Sequence, residues 1–247
     1  MKSPEIVLSL NEIMFYFTRA AVGAGLSFGM AEDFGRSSIW IAASGLDPAR
    51  ITSKTLKSLD EDQSSLCASQ TEIGVKTVLT PSGGKQLSAL FAGPSVCDWI
   101  LEKEAVSDKT QHFVVEKVDH PFMIAAAVGA LKSGNCEICW QDSGGTLSNV
   151  LTDQHGNWKT SLERNEIFKQ HGPADVSIKS AESSLFSSKK WIDKTTYSKK
   201  NRQGVLESGV PLYEAWPTIH KLFSRCLVPS TEESHKSGAG AGLVDTD

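Results

Sequence analysis

His112-Phe113-Val114-Val115-Glu116-Lys117-Val118-Asp119-His120-Pro121-Phe122-Met123-Ile124-Ala125-Ala126-Ala127-Val128-Gly129-Ala130-Leu131 is the stretch on which the fold turns. His112 to Val118 is short and rich in β-branched residues, which predicts a strand. Pro121 to Lys132 predicts a helix, closed by Gly134. A strand that runs into a helix through Asp119-His120-Pro121 belongs to a sheet crossed by helices.

Upstream, Gly74 to Thr80 predicts another strand, and Ser58 to Gln70 is polar and aperiodic, as a surface loop is. Before it come helices. Ser9-Leu10-Asn11-Glu12 has capping-box spacing, and Leu10, Ile13, Met14, Phe17, Ala20, Ala21 and Ala24 share one helical face. A second helix is expected from about Met30 to Ser44, with Phe34 and Ile41 inward, and Asp47-Pro48 reads as the cap and first turn of a third. Downstream, Cys136 to Gln141 and Asp175 to Lys179 read as strands, and Asp142 to Gly145 and Asp153 to Asn157 as turns. Pro211 to Cys226 predicts a helix that Pro217 kinks or begins. The class is α+β: an N-terminal helical hairpin, then a mixed β-sheet with crossing helices, then a C-terminal helix and an extended tail. The divisions are residues 1–60, 71–229 and 230–247.

The chain of 247 residues is 40 % hydrophobic and 22 % charged, values of a globular protein. Its longest apolar run, Phe122 to Leu131, is too short to span a bilayer. Met1 to Asn11 lacks the pattern of a signal peptide, and five cysteines make no disulfide framework, so a reducing cytoplasm is the expected compartment. A net charge of -4 disfavours nucleic acid and anionic membrane as partners. The charge is uneven, because Lys159 to Arg202 is strongly basic, either a solvated face or an attractor for an anionic ligand.

Asp119 and His120 are the candidate catalytic residues. A carboxylate beside an imidazole, at the carboxyl end of a strand, suits proton transfer. Either residue serves equally well as the N-cap of the helix that Pro121 begins. Cys136-Glu137-Ile138-Cys139 has too few partners for zinc, and its strand setting puts the two thiols on opposite faces. His112, His155, His171, His220 and His235 match no metal spacing, so no metal site is expected and no cofactor is named. Thr80-Pro81-Ser82-Gly83-Gly84-Lys85 departs from a phosphate loop and reads as a hairpin turn. Trp40, Trp99, Trp158 and Trp216 read as packing residues.

The tail carries Gly238, Gly240 and Gly242 in alternation with alanine, then Leu243, Asp245 and Asp247. Glycine at every second place lets an extended strand approach another surface closely. These are the candidate partner-binding residues, and a frayed terminus is the plain alternative.

Three stretches together are familiar: Leu8 to Ile13, Gly25-Leu26-Ser27-Phe28-Gly29-Met30-Ala31-Glu32-Asp33-Phe34-Gly35, and Gly238 to Asp247. The chain resembles an uncharacterised bacterial family, domain of unknown function 3726, across its length. The resemblance implies a bacterial protein and supplies no activity. Two functions remain open. One is an accessory or non-catalytic subunit of a small-molecule metabolic enzyme, docked on another chain, or on itself, through the tail. The other is a small-molecule enzyme with Asp119 and His120 as its acid–base site and an anionic substrate.

Overall fold

The computed structural model describes residues 4–104, 112–170, 172–181, 195–197 and 199–227. In chain order its elements are β1 (Ile6–Leu8), α1 (Leu10–Gly23), α2 (Phe28–Ala43), α3 (Pro48–Asp60), β2 (Ser64–Ser65), β3 (Ala68–Ile73), β4 (Lys76–Pro81), β5 (Gln86–Leu87), α4 (Ala89–Glu104) and β6 (His112–Val118). Then follow α5 (Phe122–Leu131), β7 (Cys136–Gln141), β8 (Leu147–Thr152), β9 (Trp158–Thr160), α6 (Arg164–Ile167), β10 (Ala174–Ser180), β11 (Thr195–Tyr197), α7 (Lys199–Ser208), β12 (Val210–Leu212) and α8 (Trp216–Ser224). The class is α+β, with helices first and a mixed sheet after them.

Local chemistry sets the helix starts. Ser9 and Glu12 form the capping box, with Ser9 N donating to Glu12 at 2.7 Å and Glu12 N to Ser9 Oγ at 3.3 Å. Asp47 accepts from the N–H groups of Ala49 and Arg50, and Pro48 occupies the first turn of α3.

The main sheet runs β11-β9-β8-β7-β10-β6-β4-β3, with β5 also on β6 and β2 on β5. Its pairs are antiparallel except β4 with β6, β5 with β6 and β2 with β5. A separate antiparallel pair joins β1, near the N-terminus, to β12. Between sheet and helices lies α5. Every residue from Phe122 to Gly129 is buried, so the helix has no polar face and must be enclosed on all sides. It packs against α2 and α4 and also against β8. Closest approach comes at Gly129, where a Cβ would meet the Trp40 ring at 2.5 Å.

Three expectations need correction, and one helix has no counterpart among them. Ser58 to Gln70 is not one loop: it holds the end of α3, β2 and the start of β3. The β3 strand is a sheet edge, exposed at nearly every residue, so burial imposed no alternation on its sequence. That helix, α4, carries Gly93 and Pro94 within its first turns. Residues 210–212 form β12 rather than the start of a helix, and Pro217 marks the true start of α8. Thr80 to Lys85 turns between β4 and β5, which lie side by side with β6 and not with each other, so it closes no hairpin. Among the described residues, no helix is long and apolar enough to cross a membrane.

Substituting Gly129→Ala should destabilise the fold by about 2 kcal/mol, because the indole it meets is rigid and buried. Gly29→Ala, where the new methyl meets open space in α2, should be neutral or stabilising by about 0.5 kcal/mol. Urea midpoints of the two variants test the contrast, and equal shifts would refute it.

Candidate functional site

The aromatic residues of β9, β11 and α2 gather in one place. Tyr197 and Trp158 are cross-strand neighbours in the β9–β11 pair, so their rings stack at 4.1 Å and 17°. Trp40, from α2, lies 4.8 Å from Trp158. The Trp158 indole donates to Ser44 Oγ at 2.8 Å, and that of Trp40 to the Gly156 carbonyl at 3.0 Å. The Trp40 bond clamps the β8–β9 turn. Asp153 stiffens the same turn by accepting from the N–H groups of His155 and Asn157 and from the Asn157 amide.

These residues wall a cavity of about 530 Å3. Arg36 and Trp40 enter from α2, Lys132 from the end of α5, His155 and Asn157 from the turn, and Arg202 and Leu206 from α7. Among the described residues three permanent cations line it, all of them exposed, and no carboxylate does. Arg36 is held by Asp33 at 2.8 Å. Among the described residues the buried Tyr197 hydroxyl has no hydrogen-bond partner, and burial pushes its pKa up. An enclosure with this lining suits a small anion with an apolar portion.

Asp119 and His120 lie elsewhere. Asp119 is 2 % exposed at the end of β6. One carboxylate oxygen accepts from Ala89 N at 2.8 Å and His120 N at 2.7 Å, and the other from Thr55 Oγ1 at 3.1 Å. The group therefore caps α4 and ties it to α3, although its sequence position suggests a cap for α5. His120 borders a crevice of about 10 Å3 with Lys54, Met123 and Gln170, room for about one water. Neither residue lines the large cavity. Gly238, Gly240, Gly242, Leu243, Asp245 and Asp247 lie outside the described residues.

Cys136 is buried and Cys139 half-buried on the two faces of β7, and the five cysteines form no disulfide. Among the described residues no cluster of three or more His, Cys, Asp or Glu can hold a metal ion. The basic run Lys159 to Arg202 was the one sequence signal that led toward the cavity, through Arg202. Nothing local marked Trp40, Trp158, Tyr197 or Lys132.

Comparison with known proteins starts from the N-terminal half. Residues 8–77 match the family described as a protein of unknown function (DUF3726). The match spans α1 to α3 and reaches β4, and it includes Arg36 and Trp40 of the cavity. The Gly238 to Asp247 ending lies beyond the matched residues. No curated protein matches the chain. Among solved structures, malate dehydrogenase from Pyrococcus horikoshii OT3 is similar at 8 % identity, with a TM-score of 0.62, over 94 % of this chain and 99 % of that one. Sulfolactate dehydrogenase from Methanocaldococcus jannaschii is similar at 7 % identity and a TM-score of 0.58, over 88 % of this chain and 96 % of that one. A delta1-piperideine-2-carboxylate reductase from Pseudomonas syringae pvar. tomato is similar at 7 % identity and a TM-score of 0.55, over 90 % and 100 % of the two chains. At these identities the likeness establishes the fold, one that small-molecule enzymes use.

Burial pushes the Asp119 carboxyl from 3.8 up to about 6, against the lowering effect of its hydrogen bonds. Between those two values the folded chain keeps a proton that the unfolded chain releases. Stability therefore falls as pH rises through this window, by up to about 3 kcal/mol. Asp119→Asn, which keeps an acceptor for the Ala89 N–H, should flatten that part of the slope. Denaturant unfolding of both proteins from pH 4 to 7 measures it, and superimposable slopes would count against this account.

Proposed function

We propose that the protein binds a small carboxylate-bearing metabolite in the cavity walled by Trp40, Trp158 and Tyr197, on a fold of the small-molecule dehydrogenase kind. One observation supports this reading: a cavity of about 530 Å3 whose charged lining, among the described residues, is cationic, with only Arg36 paired to a carboxylate, that of Asp33. The fold neighbours lend support, since malate, sulfolactate and piperideine-2-carboxylate are all carboxylate anions. The basic stretch that ends in Arg202 supplies part of the attraction expected from the sequence. Five cysteines without a disulfide suit a reducing compartment such as the cytoplasm.

A second reading, the accessory subunit that docks through Gly238 to Asp247, is favoured by the position of Asp119. Its carboxyl group is committed to α3 and α4, so the pair expected to run acid–base chemistry stands apart from the cavity. Catalysis at the Asp119–His120 pair needs the small His120 crevice to open.

Titration with malate, sulfolactate and lactate at low salt, followed by the fluorescence of Trp40 and Trp158, tests the first reading. Arg202→Gln should weaken binding about tenfold, or ~1.4 kcal/mol, and leave stability within about 0.5 kcal/mol. Unchanged fluorescence with all three acids would remove the cavity as an anion site. For the second reading, deletion of residues 237–247 should leave the fold intact and abolish association. Identical elution of the full and shortened chains on size exclusion sinks it.

A further inference from the structure

The β3 strand ends the main sheet, and among the described residues no strand lies beyond it. Proteins that keep such an edge to themselves shorten it, bulge it, or place lysine or proline on it. At the opposite end of the sheet β11 is three residues long. The β3 strand has six residues, Ala68-Ser69-Gln70-Thr71-Glu72-Ile73, with no proline or lysine, and its register with β4 runs without a shift. From Ser69 on, every residue is exposed. Ile73 at 61 % and Val75 at 78 % exposure flank the turn into β4, so apolar surface stands in water next to an open edge.

The ladder fixes which backbone groups face out. Ser82 N donates to the Cys67 carbonyl at 3.0 Å, so Cys67 and Ser82 are a hydrogen-bonded pair that continues the antiparallel register. Hydrogen-bonded and open pairs alternate, so Ser69 and Thr71 also turn their groups to β4, while Ala68 and Gln70 turn theirs outward. Pro81, which has no N–H, stands opposite Ala68, as that alternation requires. When a second β3 is laid antiparallel against this edge, the register that pairs the whole strand has Gln70 on the twofold axis, opposite the partner's Gln70. Ser69 then faces the partner's Thr71, Ala68 the partner's Glu72, and the exposed Cys67 the partner's Ile73. The strand complements its own charge in that register. Glu72, its one charged residue, stands opposite alanine, with the partner's Gln70 amide as its diagonal neighbour.

We infer that β3 is a dimer edge: two copies of the chain join antiparallel through Gln70 and make one continuous sheet across the twofold axis. The N–H and C=O of Gln70 exchange hydrogen bonds with those of the partner's Gln70, and Ile73 leaves water by packing on the partner's Cys67. The occupant is a second copy because the same strand, reversed, answers each feature of the edge: an outward Gln70, an alanine to face a carboxylate, and Cys67 at one end to meet Ile73 at the other. This surface is separate from the cavity, whose lining includes no residue of β3, and its failure would leave the ligand reading untouched.

Sedimentation of the full chain between about 1 and 100 μM should show a reversible monomer–dimer equilibrium. Gln70→Pro removes an outward N–H without touching the bonds to β4, and Gln70→Lys sets two like charges face to face on the axis. Each should raise the dissociation constant at least about tenfold, and if the proline variant fails to fold the lysine variant decides. Leu147→Lys, the same charge on an exposed residue of β8, should leave it unchanged. In Ile73→Cys the new thiol lies opposite the partner's Cys67 in an open pair, a spacing that a disulfide spans. Mild oxidation should therefore cross-link that variant into a dimer, and adding Cys67→Ser should abolish the link. A chain that stays monomeric throughout, a dimer that Gln70→Lys does not weaken, or one that Ile73→Cys fails to cross-link overturns the inference. Association that is lost on deleting residues 237–247 and indifferent to Gln70→Lys belongs to the tail instead, and overturns it as well.

Discussion

A helix with no polar face has to be wrapped, and that requirement shapes this molecule. Phe122 to Gly129 is buried all round, so α5 cannot rest on the surface of the sheet as an amphipathic helix would. The α2 and α4 helices supply the missing cover. Their contact with α5 is close enough that Gly129 must lack a side chain to admit the Trp40 ring. Once Trp40 lies in that notch, its indole reaches the Gly156 carbonyl and holds the β8–β9 turn. The cavity is thus a by-product of covering α5: its walls are α2, the end of α5, the clamped turn and α7.

The same helix has a polar problem at its entry. The strand β6 ends on Asp119, which is buried where α3, α4 and β5 meet. A buried carboxyl is tolerated when backbone and hydroxyl donors surround it, and here three do. Its work is architectural, joining the start of α4 to the end of β6. Positive charge collects at the opposite end of α5, at Lys132. The two ends divide the labour between holding the fold and facing a ligand.

Reading the sequence succeeded wherever the signal was local. The Ser9–Glu12 box and the Asp47-Pro48 cap place α1 and α3 through contacts within three residues. The strand that becomes β6 and the helix that becomes α5 were equally plain. It failed at β3, whose exposed edge left no alternation, and at α4, where Gly93 and Pro94 sit inside a helix that packing sustains. The candidate site was legible only as charge. Arg202 belonged to a conspicuous basic run, whereas Trp40, Lys132, Trp158 and Tyr197 are far apart in the chain and each reads as ordinary packing.

By itself the sequence determined the α+β class, the starts of the N-terminal helices and the junction where β6 enters α5. Those follow from capping, periodicity and β-branching, which act over a few residues. Only the tertiary structure decided that Asp119 caps α4 instead of α5, and that residues from α2, α5, α7 and two strands enclose one cationic cavity. The reason is reach: a hydrogen bond across 30 residues, or a ring stack set by strand register, has no local signature. It exists once a buried helix has drawn the rest of the chain around it.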